Sequence, residues 1–364
     1  MKSNPKRIGV LTGGGDCPGL NAVIRAVTKT AINNYNMQVV GFKDGYQGMV
    51  ENNYVNLTKD YVSGILTRGG TILGTNNRID PFNVPMLENG NTVNRNLSDQ
   101  AILNFEKLGL DVLVCIGGDG TMAVSQKMAE KGLNIIGIPK TIDNDLDGTD
   151  VTFGFDSALT TATEAIDKIH TTAQSHHRVM VIEVMGRYAG WLALCSGIAG
   201  GGDIILIPEI PFDINSICEY IKQRSYTGRN FSILVVGEGA KPKDGEMVIS
   251  RSVKDSPESI RLGGIGNVVG KMIEDTIGVE TRVTVLGHLL RGGVPTPADR
   301  LLATRFGVEA ARLISKKDYG KMVAVKGQAI SSTPIAEIGG KIRLVPIDSP
   351  IIAAAKAVGT CLGD

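Results

Sequence analysis

Two apolar runs that each break into a Gly-Gly-Asp turn and then into a helical pattern restrict this chain more than any other feature. Lys6 to Thr12 reads as a buried strand. It enters Gly13-Gly14-Gly15-Asp16-Cys17-Pro18-Gly19, and a helix follows from about Asn21 to Asn33. Asp111 to Ile116 repeats the unit, with Gly117-Gly118-Asp119-Gly120-Thr121 as its turn and a helix through about Lys131. Asn134 to Ile138 supplies a third strand, ending at Pro139. Strands that are apolar throughout must be covered on both faces, which is the pattern of a doubly wound parallel sheet. Ligands in such sheets gather beyond the C-terminal ends of the strands.

The second half reads the same way. Ser157 to Thr172 is a long helix with Glu164, Asp167 and Lys168 on its polar side, and Arg178 to Val184 is a strand closed by Met185-Gly186-Arg187. A helix begins near Gly190, and Ile204 to Ile207, Ser232 to Val236 and Thr281 to Leu286 are further apolar runs. Lys241 to Glu246 is a charged loop, and no low-complexity linker divides the chain. The expectation is an α/β protein built of two layer systems.

With 364 residues, 42% hydrophobic and 21% charged, the chain is long enough for two cores. A net charge of +1 argues against a whole-protein electrostatic role on nucleic acid or membrane. The 46 glycines and 5% aromatics suit an enzyme with many tight strand-to-helix turns. Cys17, Cys115, Cys195, Cys218 and Cys361 are scattered with no CxxC, so neither a zinc site nor a disulfide framework is expected, and a reducing cytoplasm fits best. No signal peptide or transmembrane run is expected, and Cys361-Leu-Gly-Asp is a poor prenylation box.

The chemistry concentrates at the third strand end, Pro139-Lys140-Thr141-Ile142-Asp143-Asn144-Asp145. Two carboxylates with one residue between them, beside a threonine and a lysine, suit proton abstraction next to a metal-bound polyphosphate. The Gly-Gly-Asp-Gly turn suits close backbone approach to phosphate, with Asp119 facing magnesium. Each has a plainer reading: Asp143 and Asp145 as turn formers, Asp119 as a helix cap, and the first glycine loop as a tight turn. No Walker A sequence occurs, and Gly264-Ile265-Gly266 with Gly270 has the wrong spacing for a dinucleotide site. Arg178, Arg187, Arg282 and Arg291, with His288 close by, lie near expected strand ends and suggest recognition of a substrate phosphate. Glu238, in a glycine turn, suits sugar hydroxyls.

Together these segments resemble the 6-phosphofructokinase family over nearly the whole chain. The likeness covers Ile8 through Asn21, Asp44-Gly-Tyr46, Arg68-Gly-Gly-Thr71, Ile116 through Thr121 and Pro139 through Asp145. It continues in Ser175 through Arg178, Val184 through Tyr188, Glu280-Thr-Arg282 and Val285 through Gly293. The resemblance implies two doubly wound three-layer α/β/α domains with mainly parallel sheets. A nucleotide-binding domain would take residues 1–154 and about 290–340, and a sugar-phosphate-binding domain residues 155–289 and about 341–364. It implies transfer of phosphate from ATP, with Mg2+, to the 1-hydroxyl of fructose 6-phosphate.

By the same resemblance Asp143 is the base, Asp119 serves the magnesium ion, and Thr141, Asp145 and Arg187 support the transferring group. Met185, Gly186, Glu238, His288 and Arg291 bind the sugar phosphate. Arg178 and Arg282 grip its 6-phosphate from a neighbouring chain, which implies a homotetramer or at least a dimer. Gly15, Tyr46, Gly117, Gly118, Gly120 and Thr121 line the nucleotide phosphates. Arg78 bridges donor and acceptor phosphates unless Asn77 stands in its place. Arg25, Asp203 and Arg229 resemble effector-site residues, but His170 and Thr227 stand where basic residues are common.

Two signals conflict over the donor. Family members that use pyrophosphate generally carry an acidic residue at the position of Gly120 and a lysine at that of Lys140. An acidic side chain at the first would crowd and repel a nucleotide α-phosphate, and glycine leaves room. The steric signal carries more weight, so ATP is the expected donor and pyrophosphate the alternative. Remoter alternatives are a lipid or NAD kinase, from Gly-Gly-Asp-Gly-Thr alone, and a regulatory subunit that binds sugar phosphate without turnover.

Overall fold

The computed structural model describes residues 5–88, 91–252 and 260–364. Strand β1 (Arg7–Thr12) leads into α1 (Leu20–Tyr35), β2 (Gln38–Phe42), α2 (Tyr46–Glu51) and β3 (Tyr54–Asn56). An antiparallel pair, β4 (Val84–Glu88) and β5 (Asn91–Arg95), precedes α3 (Ser98–Lys107), β6 (Val112–Gly117), α4 (Asp119–Glu130) and β7 (Ile135–Thr141). The short β8 (Phe153–Gly154) runs straight into α5 (Phe155–His176). After it come β9 (Val179–Val184), α6 (Trp191–Ala199), β10 (Ile204–Leu206), α7 (Ile214–Tyr226) and β11 (Ser232–Gly237). A small pair, β12 (Ile249–Ser252) and β13 (Ile260–Leu262), precedes α8 (Ile265–Ile277) and β14 (Thr281–Val285). A tight turn at Gly287–Arg291 then leads to α9 (Pro297–Ser315), β15 (Lys321–Lys326), β16 (Ala329–Pro334) and α10 (Pro350–Ala357).

Two sheets organise these elements. The first has the order β16-β15-β7-β6-β1-β2-β3, with β8 beside β7, and its centre is parallel while β3 and β16 close the edges antiparallel. The second has the order β10-β11-β9-β14 and is parallel throughout. Side chains alternate across each pleat. In β6, Val112, Val114 and Ile116 enter one apolar cluster with α1 and α9, while Leu113 and Cys115 enter another with Ala101, Phe105, Met122 and Met128 of α3 and α4. In β9, Ile182 and Val184 face α5 and α6, while Val179 and Val181 face α7 and α8. Each sheet is thus covered on both faces, which is why inner strands such as β1, β6 and β11 are buried along almost their whole length.

The chain visits the sheets twice. Its last residues return to the second sheet, where Ile205 N donates to Cys361 O at 2.9 Å, although β15 and β16 just before belong to the first. Helix α9 lies on α1 closely enough that a methyl group on Gly307 would sit 2.6 Å from Ala26 Cβ.

One strand differs from the sequence reading. β7 does not stop at Pro139 but runs on to Thr141. Pro139 is tolerated because pairing with β15 has ended at Gly137 and pairing with β8 begins only at Lys140, so on that side its missing N–H leaves no gap.

Candidate active site

β7 carries its chain past the sheet into a turn whose shape is fixed by local polar side chains. Asp143 N donates to Thr141 Oγ1 at 3.0 Å. Asn144 is left-handed, φ 53°, a conformation asparagine tolerates, and its Oδ1 accepts from Thr152 N at 3.1 Å. Thr152 in turn donates its hydroxyl to Thr141 O at 2.8 Å. These bonds hold the Asp143 carboxyl at 5% exposure, and its Oδ1 has no hydrogen-bond partner among the described residues. Burial raises the Asp143 pKa, opposed by Arg291, Arg187 and Lys140, with Asp119 pushing further upward. Asp145 is pushed up to about 7, by burial first and then by the charges of Asp143 and Asp119.

The two glycine turns face each other across β1 and β6. Gly13 N donates to Ile116 O at 2.9 Å, and Thr75 Oγ1 donates to Gly14 O at 2.6 Å. Between them lies Thr121, in the first turn of α4. A methyl group on Gly13 would sit 2.7 Å from its hydroxyl oxygen, and one on Gly117 would overlap the same side chain. Gly118 precedes α4 and Asp119 opens it, so the carboxylate stands at a helix N-terminus, where backbone N–H groups also favour anions. Gly120 is exposed, with open space where a side chain would begin. Lys140 is buried and its Nζ donates to Gly15 O; burial lowers its pKa. Gly15 also admits Arg291, whose Nη1 would lie 2.5 Å from a methyl group there and donates to Asp16 O at 3.2 Å.

The structure moves one expectation on this side. Tyr46 is 4% exposed, with its hydroxyl 2.8 Å from Ser125 Oγ inside the core, so its ring backs the site and its hydroxyl is not turned to a nucleotide. The cause is its place at the start of α2, which turns it under α4. Asn77 and Arg78 are both exposed, in a turn held by Asn76, whose Oδ1 accepts from Arg78 N at 2.7 Å.

On the second sheet, Met185, Gly186 and Arg187 follow β9 at its C-terminal end. Gly186 (φ 145°) and Arg187 (φ 48°) make a sharp turn, and Arg187 N donates to Glu238 Oε1 at 3.1 Å. Glu238 follows β11, and burial, then Asp143, push its carboxyl up to about 7. His288 is exposed on the turn before Arg291.

Arg178 and Arg282 lie at the other end of the same sheet. Arg178 precedes β9, Arg282 is in register with Met180, and Glu280 bonds both guanidinium groups. At about 3.3 Å per residue the length of β9 separates them from Met185 by roughly 20 Å. They are not brought to this chain's own Asp143.

Other polar groups are tied up within the chain. Glu183 is buried and accepts from Gly264 N and Gly266 N, both at 2.8 Å, so the N-terminus of α8 already holds a carboxylate from its own chain. That removes the glycine run at 264–270 as an anion site. Asp203 pairs with Arg224 at 2.7 Å, and His170 Nε2 lies 2.8 Å from Gly200 O. Arg343 and Glu209 contact the two active-site turns from distant parts of the chain; only the folded topology reveals them.

Residues 7–314 match the family model described as phosphofructokinase. An ATP-dependent 6-phosphofructokinase 2 of Clostridium perfringens is 53% identical over 361 residues, covering 99% of each chain. An ATP-dependent 6-phosphofructokinase of Spirochaeta thermophila is 51% identical, covering 99% of this chain and 98% of the relative. Among solved structures, the Pichia pastoris phosphofructokinase in the T-state superposes with a TM-score of 0.78 at 32% identity, over 98% of this chain and 37% of that one. A pyrophosphate-dependent enzyme from Nitrosospira multiformis shares the fold, with a TM-score of 0.80 at 18% identity over 99% of this chain and 93% of that one. The site geometry and these likenesses agree, and the chain belongs to the phosphofructokinase family.

Proposed function

We propose that this protein transfers the γ-phosphoryl group of ATP to the 1-hydroxyl of fructose 6-phosphate, giving fructose 1,6-bisphosphate and ADP. The observation that carries the reading is the Asp143 carboxyl: buried, one oxygen unpartnered, and faced by Arg187, Arg291 and Lys140. A buried acceptor without a donor is costly. A substrate hydroxyl supplies the missing donor. Asp143 takes that proton as the hydroxyl oxygen bonds to phosphorus and the bond from phosphorus to the β-phosphate oxygen breaks. Arg187, with Thr141 at the end of β7, stabilises charge on the transferring group. Met185, Gly186, Glu238, His288 and Arg291 hold the sugar phosphate, and Gly15, Gly117, Gly118, Gly120 and Thr121 shape the nucleotide side.

The residues present fit magnesium. Asp119, Asp143 and Asp145 share a negative field: Asp119 raises the pKa of Asp143, and both raise that of Asp145. Magnesium commonly takes one or two carboxylates plus phosphate oxygens and water, so a ready-made cage of three or more protein ligands, absent among the described residues, is not required. Asp119 would hold the ion, which when bound neutralises polyphosphate charge.

Two features support ATP over pyrophosphate: Gly120 leaves its surroundings open, and Lys140 is engaged by the Gly15 carbonyl. The names of the relatives point the same way. We further infer the two-domain division at 1–154 with about 290–340 and 155–289 with about 341–364, which follows the two sheets. A homodimer or homotetramer in which Arg178 and Arg282 complete a neighbour's site follows from their place at the far end of the second sheet. A cytoplasmic location suits the substrates and the five free cysteines. Among the described residues no helix is long and apolar enough to cross a membrane. The test is the initial rate with fructose 6-phosphate and magnesium, with ATP against pyrophosphate. ATP-supported turnover is expected; turnover with pyrophosphate alone would overturn the donor.

A further inference from the structure

Residues 341–346 cross between the Asp143 turn and the start of α6, which follows the Arg187 turn, and bond to both. On one side, Arg343 N donates to Asp145 O at 2.7 Å, Arg343 Nη1 donates to Asn144 O at 3.2 Å, and Ile342 bridges Leu146. On the other, the Arg343 guanidinium lies 4.3 Å from the ring centre of Trp191, and Trp191 Nε1 donates to Arg343 O at 2.8 Å. Two residues on, Val345 N donates to Glu209 Oε1 at 2.8 Å, and the same carboxylate accepts from Gly190 N at 2.9 and 3.1 Å.

The bonded groups sit close to the reacting ones. Asn144 and Asp145 directly follow Asp143. Gly190 and Trp191 open α6, three and four residues after Arg187. Each turn also holds a non-glycine residue in the left-handed region, Asn144 at φ 53° and Arg187 at φ 48°. Such conformations persist where surrounding bonds over-determine them. The strap supplies bonds on both sides, and a planar guanidinium can stack on an indole face while donating in its own plane.

We propose that residues 341–346 act as a strap that fixes the Asp143 turn against the Arg187 turn, with Arg343 as a positioning residue for phosphoryl transfer. This rests on the reaction proposed above. Arg343 spends its bonds on Asn144, Asp145 and Trp191, so its effect falls on the alignment of base and phosphate-binding groups. A misplacement of about 1 Å can cost roughly 100-fold in rate.

The test compares wild type with Arg343→Ala, Arg343→Lys and Trp191→Phe. Three readouts apply: kcat and KM with fructose 6-phosphate and MgATP, the melting temperature, and amide hydrogen exchange over residues 141–147. Arg343→Ala is expected to lose about 10–100-fold in kcat, with KM for fructose 6-phosphate within about threefold, and to exchange faster over 141–147. Arg343→Lys restores only part, because an ammonium cannot stack and reach the Asn144 carbonyl together. Arg343→Ala and Trp191→Phe should be non-additive in the double variant. A folded Arg343→Ala with unchanged kcat and unchanged exchange would overturn the strap. So would a loss of rate no greater than the loss of folded protein. If Arg343→Ala does not fold, wild-type kcat and exchange in both Arg343→Lys and Trp191→Phe overturn it instead. Failure of the reaction itself is distinct: wild type would then lack turnover, and the exchange readout would still decide the strap.

Discussion

The side chain of Thr121 fills the space that a side chain on Gly117 would need. The last residue of a parallel strand and the first turn of the following helix are thereby locked together, and the same hydroxyl backs Gly13 in the neighbouring loop. A methyl group on Gly120, one residue before Thr121, would meet open space. The glycines of one motif therefore have different reasons to be glycine. Gly117→Ala should destabilise by roughly 1–3 kcal/mol, the range for overpacking, and raise the KM for ATP. Gly120→Ala should not destabilise, because its methyl group meets open space in the first turn of a helix, where alanine is favoured over glycine. Thermal melts and ATP titrations on the two proteins check the contrast; equal damage from both would contradict it.

Gly120 is also where donor choice is open to test. An aspartate there brings a charge toward a nucleotide α-phosphate, and at ~6 Å and an effective dielectric of about 20 the repulsion is roughly 3 kcal/mol. Screening at this exposed turn reduces it, so Gly120→Asp should raise the KM for ATP by about tenfold or more. Any activity with pyrophosphate, which has no α-phosphate, should be spared. Equal loss with both donors would sink the steric account.

Asp143→Asn keeps the shape of the turn and removes the proton acceptor. The expected result is a loss of about 10²–10⁴-fold in kcat with little change in KM for fructose 6-phosphate. Near-normal turnover would remove Asp143 as the base.

The acid limb of the pH profile carries a signature of burial. Asp145 has its pKa at about 7, and that of Asp143 is raised, both by desolvation first. Raised acids are neutral below their pKa, and catalysis needs the ionised form. Activity should therefore climb with pH between about 5 and 7, well above the ordinary carboxylate range near 4. Because Asp143 raises Asp145, the influence is mutual, and Asp145→Asn should move the limb of kcat/KM to lower pH even as the maximum falls. Substrate phosphate titration is common to both proteins, so the difference between profiles belongs to the carboxylate. A limb that stays put in Asp145→Asn would refute the coupling.

What was legible in advance was local. Each strand, glycine turn and helix around Thr12, Gly117 and Thr141 is set by neighbours a few residues away, so apolar runs and glycines place them. Whether Tyr46 faces ligand or core depends on the helix packed over it, here the one carrying Ser125, and nothing in its neighbours along the chain shows that helix. β7 outruns its expected end because its pairing with β15, almost two hundred residues later, stops at Gly137 and leaves Pro139 with no bond to donate on that side. Arg343 has no motif at all: its partner carbonyl, on Asn144, lies 199 residues away, and a lone arginine between Ile342 and Leu344 gives no sign of such a bond.

The position of Arg178 and Arg282 leads to the last prediction. Both guanidinium groups are held by Glu280 at the N-terminal end of the second sheet, while Arg187 and Glu238 lie at its C-terminal end. If these arginines bind a substrate phosphate, that phosphate belongs to another chain's site. Losing a hydrogen bond to a charged group costs about 1.5–3 kcal/mol, so Arg282→Ala should raise the KM for fructose 6-phosphate about 10–100-fold. Asp143→Asn fails for a different reason, in kcat. Refolding the two variants together forms mixed assemblies in which one chain's Asp143 meets another chain's Arg282, and activity should exceed the sum of the separate proteins. Sites completed within one chain give no such gain, because every chain then carries one lesion in its own site. Strictly additive activity in a mixture shown to contain mixed assemblies would return both arginines to a structural role on Glu280.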